Sequence, residues 1–359
     1  MNATTRFLKR LSETDGISGF EHEVGGLVEG ELGGICEIER DNLGSVICKL
    51  PGESESPRIM ICGHIDEVGF IVQQVTDDGY VKFLPVGGWS TRNMLSQKVS
   101  IATRKGRVLG VIGSADPWGF DDQKIDKVLK MKELFIDVGQ SVDFDVKEHL
   151  DIRPGDPITP VSNFEIMSNP KMFMSKAWDD RIGVGIMVEA LKRLAKSKRR
   201  HPNTVYGVGT AQEEVGLRGA KTSSSSVRPD VAFAVDICSA FDTPGHDKGR
   251  ADRAGNGVGV MLCGGGVFPN PRFRDFMIEL CEEKKIRHFL GTIPRGGTDA
   301  GRIQIAGTGV LALYIGIATR YGHSHNSVIH RDDFDNAVKL MVEACLALDA
   351  ETVTRLKTF

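Results

Sequence analysis

The sequence predicts an α/β fold: a mixed sheet covered by helices on both faces, interrupted by a small all-β, barrel-like insertion. Three observations carry that reading. Strand-like apolar runs alternate with helical periodicity toward both ends of the chain, the pattern of a sheet with helical cover. Between Gly69 and Pro160 helical periodicity is scarce, and short strands follow one another between glycines and prolines, the texture of a small barrel. Polar side chains of the kind that bind metals recur at the ends of apolar strands, where an open α/β sheet forms its ligand crevice.

In chain order, Thr5–Leu11 reads as a helix, Asp15–Gly19 as a turn, and Glu21 opens a second helix. Strands follow at Cys36–Asp41, Ser45–Leu50 and Arg58–Gly63, with Asp41-Asn-Leu-Gly44 turning between the first two. Phe70–Thr76 and Tyr80–Leu84 form a hairpin around Asp77-Asp-Gly79, and Lys98–Thr103 and Arg107–Ile112 form another around Arg104-Lys-Gly106. The charged stretch Asp121–Leu134 reads as helical. From Asp180 a helix presents Gly183, Met187, Ala190, Leu191 and Leu194 on one face. Strands at Thr204–Gly209, Val231–Asp236, Gly257–Leu262 and Val310–Ala318 and helices at Pro271–Lys285 and Asp332–Thr354 complete the α/β part. Ser223–Ser226 reads as a short loop, and the glycine runs at Gly255–Gly259 and Gly264–Gly266 as turns beside a strand. Those runs lack the strand–turn–helix setting of a dinucleotide site. The boundaries place residues 1–67 and 163–359 in one discontinuous domain and 68–162 in the β insertion.

A net charge of -3 over 359 residues gives no footprint for nucleic acid or an anionic membrane. The basic run Lys196–His201 reads as the solvated end of a helix, where cations are favoured. Seven cysteines, scattered and without a C-x-x-C pair, read as small buried hydrophobes such as Cys62 and Cys238. That usage suits a reducing, cytoplasmic compartment. The N-terminus has no apolar h-region, which predicts no secretory signal. The longest apolar run, near Val310–Ala318, is too short to cross a bilayer.

Five segments share one design, an apolar strand followed by a ligand-type residue. They deliver His64 with Asp66, Asp179 with Asp180, Glu213 with Glu214, Asp236, and His323. Each alone has a plain structural explanation. Asp179 or Asp180 could cap a helix, Asp236 could open a turn, and each histidine could sit satisfied at a core edge. Five such strand ends converging on one sheet edge make a cleft of His, Asp and Glu instead. Imidazole and carboxylate donors suit zinc or a similar divalent ion. In His64-Ile-Asp66 the aspartate stands where a carboxylate could fix the tautomer of a ligating imidazole.

The stretches His64-Ile-Asp-Glu-Val-Gly69, Trp178-Asp-Asp-Arg181, Ala211-Gln-Glu-Glu-Val-Gly216, Arg295-Gly-Gly-Thr-Asp-Ala-Gly301 and Arg320-Tyr-Gly-His-Ser324 together resemble the cytosolic dinuclear-metal aminopeptidases. That family includes tetrahedral aminopeptidases and bacterial glutamyl aminopeptidases, and some relatives carry a cellulase label. The resemblance covers nearly the whole chain. It implies a zinc-peptidase-like catalytic domain with a β dimerisation domain inserted, and dimers assembled into a tetrahedral dodecamer.

It also implies that His64 and Asp236 hold one metal, Glu214 and His323 the other, and that Asp179 bridges both. Asp66 then orients His64, and Glu213 is the general base. The implied cofactors are two divalent ions per subunit, zinc first, with cobalt and manganese as alternatives. The implied reaction is hydrolysis of the N-terminal bond of short peptides by a hydroxide held between the ions. Charge balance agrees, because Asp179, Asp236, Glu214 and one hydroxide neutralise two divalent ions and leave Glu213 free. Gly296-Gly-Thr-Asp299 reads either as backbone donors lining the cleft or as a tight turn.

Two departures stand out. His325 follows His323 where relatives commonly have proline, so it competes as a ligand, and His323 fits the motif better. Ala115-Asp-Pro-Trp-Gly-Phe120 differs from the family's proline-paired stretch, which bears on assembly and cleft access. The rival readings are a glycosidase, which needs two opposed carboxylates and no metal, a catalytically silent assembly protein, and a metallohydrolase of N-acyl or other non-peptide amides.

Overall fold

Alternation along the strands builds the main sheet. In strand Arg58–His64, Ile59 and Ile61 enter one apolar cluster while Met60 and Cys62 enter another. A strand buried on both faces needs helical cover on both. The structure, a computed structural model, describes residues 1–115, 128–293 and 296–358. Its eight-stranded sheet runs in the order Glu37–Arg40, Val46–Leu50, Thr204–Thr210, Arg58–His64, Val231–Ser239, Leu311–Thr319, Val258–Gly264, His288–Ile293. Helices Ala3–Glu13, Trp178–Lys196, Pro271–Glu283 and Arg331–Ala347 bury their apolar sides in the first cluster, and Arg218–Val227 and Asp299–Gln304 theirs in the second.

The four strands Thr204–Thr210, Arg58–His64, Val231–Ser239 and Leu311–Thr319 run parallel. Their carboxyl ends therefore meet on one edge, with His64 directly beside Thr210. Of the five strands expected there, one lies elsewhere. Met172–Ser175 pairs with Glu165–Ile166 and Ser327–His330 in a separate three-stranded sheet. It still feeds the helix that starts at Trp178.

The β insertion closes into a barrel in the order Gly69–Val75, Val81–Val86, Leu134–Asp137, Gly106–Ser114, Lys98–Thr103, Pro157–Pro160. Inward residues including Phe70, Val81, Phe83, Ile101, Ile112, Ile136 and Ile158 form its own core.

Several local expectations are corrected. Ser223–Ser226 lies inside helix Arg218–Val227, not in a loop. Serine is a weak helix former because its hydroxyl competes for the backbone. Here Ser223 and Ser225 turn that hydroxyl back onto the carbonyls of Gly219 and Lys221, four residues earlier, at 2.6 and 2.8 Å. The predicted helix Asp332–Thr354 is two helices, Arg331–Ala347 and Ala350–Lys357. Asp349 breaks it by capping the second, its Oδ1 accepting from Thr352 N at 2.7 Å. In Asp121–Leu134 the described part holds a single 3-10 turn, Met131–Glu133, and Leu134 opens a strand. Residues 121–127, and 116–120 of the departure from the family pattern, lie outside the described residues.

An ionic chain, exposed at Arg107 and buried at its other end, ties the barrel to the α/β part. Arg107 of the barrel pairs with Asp15 at 2.5 Å, and Asp15 with Lys176 at 2.8 Å. Lys176 pairs with Glu67 at 2.7 Å, and Glu67 lies 3.4 Å from Arg181. Arg181 also donates to the carbonyls of Leu11 and Thr14. Lys176, Glu67 and Arg181 are almost wholly buried. Removing one partner of such a pair strands a charge away from water. Glu67→Gln is therefore expected to lower stability by about 3–5 kcal/mol, read as a shift in the denaturant midpoint.

Candidate metal centre

Each candidate side chain reaches the sheet edge for a local reason. His64 ends its strand, and its backbone N–H donates to Asp180 Oδ2 at 3.1 Å. Asp180 Oδ1 accepts from Gly183 N at 3.0 Å, so Asp180 performs the capping that either aspartate could have done. Asp179 has non-helical backbone angles ahead of that helix, and its carboxylate points to the histidines. The helix can descend this far because glycines meet there. A Cβ on Gly63 would lie 2.5 Å from Gly183 C, and one on Gly183 would lie 2.2 Å from Val235 O. Asp236 is not a turn residue, since its strand runs on to Ser239.

Asp179 sits between the two imidazoles. Its Oδ1 is 2.9 Å from His64 Nε2, and its Oδ2 is 3.0 Å from His323 Nε2. His323 Nε2 is also 3.5 Å from Glu214 Oε1, and His64 Nε2 is 3.9 Å from Glu213 Oε2. Asp66 does more than face His64, whose Nδ1 lies 3.1 Å from the Asp66 carbonyl and 3.4 Å from its carboxylate. Its two oxygens accept the backbone N–H groups of Glu213 and Glu214 at 3.0 and 3.1 Å, and Ser18 Oγ donates to it at 2.6 Å. One buried carboxylate thus positions the glutamate pair as well as the histidine.

Carboxylates outnumber the cations gathered with them here. Among the described residues, the ion pairs of Asp179, Glu213 and Glu214 reach only histidines. Burial pushes Glu214 up to about 8, with Asp179 beside it adding to the rise. Burial likewise lifts Asp236 to about 8, again with Asp179 nearby, and lifts Glu213 and Asp180 well above the carboxylate range. Burial opposes charge on His323, yet its hydrogen bond to Asp179 raises it to about 10. Buried acids crowded in this way are stable only when protonated or when cations join them.

The donor set fits divalent metal. Ligand atoms of His64, Asp179 and Glu214 lie within 4.8 Å of one another, as do those of His64, Asp180 and Asp236. Glu214 Oε1 is buried with no hydrogen-bond partner among the described residues. His325 is not part of this cluster. Its ring lies 5.5 Å from that of Trp89.

Residues 44–340 match the sequence profile of the M42 glutamyl aminopeptidases. The chain belongs to this family. It is accordingly a peptide-bond hydrolase of the aminopeptidase type. The glutamyl aminopeptidase of Lactococcus lactis is 32% identical over 357 residues, covering 98% of each chain. The lysyl aminopeptidase of Pyrococcus furiosus is 33% identical over 339 residues, covering 93% of this chain and 94% of its own. Among solved structures, the TET aminopeptidase of a marine-sediment Thaumarchaeota archaeon superposes with a TM-score of 0.95 at 37% identity, covering 99% of each chain. The Pyrococcus horikoshii TET1 peptidase, described as assembling into a tetrahedron or a large octahedral shell, gives a TM-score of 0.84 at 28% identity over 96% of this chain and all of its own.

In this M42 peptidase the candidate centre floors a cavity of about 670 Å³, walled on the far side by Leu217, Ile237, Gly297, Thr298 and Tyr314. Gly296, Gly297 and Thr298 line the cavity, and Thr298 precedes helix Asp299–Gln304. Three contributors escaped the sequence reading. Ser18 donates to Asp66. Asp299 accepts from Thr210 Oγ1 at the end of the Glu213 strand. Gly88 of the barrel faces His323. Only Asp299 stood in a quoted motif; the other two act from loops whose reach no spacing reveals.

Proposed function

We propose that this chain is a dinuclear-metal aminopeptidase that removes N-terminal residues from short peptides. His64 and Asp236 would hold one ion, Glu214 and His323 the other, with Asp179 between them. The bound ions would polarise the scissile carbonyl and acidify water at neutral pH. Zinc suits these donors first, and cobalt or manganese also suit them. Asp66 keeps His64 and both glutamates in place. Glu213 takes the proton from the attacking water and passes it to the leaving amine, the work of a general acid/base. The cavity walls exclude bulk water and orient the free N-terminus.

The observation that carries this reading is the unequal setting of two adjacent glutamates. Glu214 lies 3.5 Å from His323, whereas Glu213 stays 3.9 Å from His64 with no closer ion pair. A silent scaffold has no use for a second, free carboxylate there, and a glycosidase has no use for the histidines. We also read the chain as a cytoplasmic homo-oligomer joined in part through the barrel; the dodecamer and the tetrahedral or octahedral shells described for the TET1 relative support the homo-oligomer. Among the described residues no helix is long and apolar enough to cross a membrane.

Aminoacyl-chromophore substrates, assayed with zinc, cobalt or manganese restored to stripped protein, test the activity. Release is expected only from substrates with a free amine, and none from N-acetylated peptides or cellulose. Turnover of the acetylated forms at equal rates would overturn the aminopeptidase reading. Light scattering on the same sample reads the assembly.

A further inference from the structure

Strand Val81–Val86 of the barrel runs into Gly87-Gly88-Trp89, and this tip touches the candidate centre. The Gly88 carbonyl lies 2.7 Å from His323 Nδ1. A carbonyl only accepts, so Nδ1 carries the proton. Nε2 is left facing Asp179 and Glu214, at 3.0 and 3.5 Å, the nitrogen that an ion would take once it displaces the proton there. His323 needs such a hold, because its φ of 54° is left-handed and strained for a residue other than glycine.

The neighbouring glycine touches the other ligand of the same pair. A Cβ on Gly87 would lie 3.1 Å from Glu214 Oε2, and one on Gly88 would lie 3.1 Å from His323 Nδ1. Gly87 is itself left-handed, with φ 79°. Trp89 fastens the tip to the barrel. Its Nε1 donates to Gly69 O at 3.1 Å, and its ring stacks on Phe70 at 4.7 Å between centroids. Its other side lies against His325, in the loop that carries His323. Among the described residues no such contact is seen for His64 or Asp236. They stand on sheet strands, and His64 Nδ1 faces Asp66.

We propose that Gly87-Gly88 of the barrel insertion is a positioning element of the metal centre, setting His323 and Glu214 for one of the two ions and leaving the other to the sheet alone. The insertion then belongs to the active site as well as to assembly. This rests on the dinuclear reading given above.

Full-length wild type, Gly88→Ala and Trp89→Phe, all stripped of metal, are titrated with cobalt chloride. Bound cobalt is counted by elemental mass spectrometry and its geometry followed by the visible d–d absorption. The wild type is expected to take two equivalents. In Gly88→Ala one equivalent should bind as in wild type, and the second should weaken by about 10–100-fold, the usual effect of disturbing a partner behind a metal ligand, because the added Cβ would crowd His323 Nδ1 at 3.1 Å. Its d–d band should change in parallel. Trp89→Phe leaves both glycines in place and removes the Nε1 bond to Gly69 that fastens the tip, so the same equivalent should weaken. Two unchanged equivalents in both variants, or equal weakening of both, would overturn the proposal. A wild type that binds no cobalt would sink the dinuclear reading, and this inference with it.

Discussion

Glu213→Gln is expected to cut kcat by about 10²–10⁴-fold, the range for losing a general acid/base, while two metal equivalents and the KM of a short peptide stay close to wild type. The separation follows from geometry. Glu213 is held through its backbone by Asp66 at 3.0 Å, and that bond survives the substitution. Its carboxylate lies no closer than 3.9 Å to an imidazole, whereas Glu214 is the one set against His323. Glutamine keeps the shape and loses only the capacity to take a proton. A loss in kcat and kcat/KM together, with KM unmoved, marks an interaction made in the transition state alone. Retained turnover would remove Glu213 from the proposed mechanism, and loss of metal would make it a ligand instead. Glu214→Gln supplies the contrast, since there the metal count should fall first.

What was legible in the sequence was whatever depends on a repeating pattern. The parallel strands showed because Ile59 and Ile61 bury on one side and Met60 and Cys62 on the other, so the run is apolar throughout. The gathering of His64, Glu214 and His323 was legible for a related reason, whereas Asp179 joins them from the start of a helix fed by the separate sheet. Parallel strands share one carboxyl edge, so residues just beyond strand ends must become neighbours. Helix Arg218–Val227 was not legible, since four serines argue against a helix until their hydroxyls are seen to bond back. The separate home of Met172–Ser175 was hidden too, because a four-residue apolar run does not state its partner. The double duty of Asp66 and the reach of Gly88 lie deeper still. Both act through backbone groups, 147 residues away from Asp66 to Glu213 and 235 residues away from Gly88 to His323, and no side-chain pattern records a carbonyl's aim.

Stripping the metal with a chelator is expected to abolish peptide hydrolysis, with recovery on adding zinc, cobalt or manganese. It should also expose a pH dependence that the loaded protein lacks. Burial raises Glu214 and Asp236 to about 8 and Glu213 further, so the metal-free native state keeps protons that the unfolded chain releases near the ordinary carboxylate value. Stability falls with rising pH wherever the native state binds more protons. The histidines act in the same direction. His323 is raised to about 10, so its contribution is full below the ordinary imidazole range and disappears as pH climbs through that value. Asp179 is depressed by His323 and His64, so its contribution is lost only on acidification below the ordinary carboxylate range. Metal displaces the same protons and binds more tightly as pH rises. The gap in Tm between loaded and stripped protein should therefore widen from about pH 5 to about pH 8. Each ion present at about 100 Kd adds about 2.7 kcal/mol, enough to move Tm by several degrees. A gap that stays constant or narrows over that range would show that these carboxyls do not share their site with cations, and the engine proposed for hydrolysis would go with it.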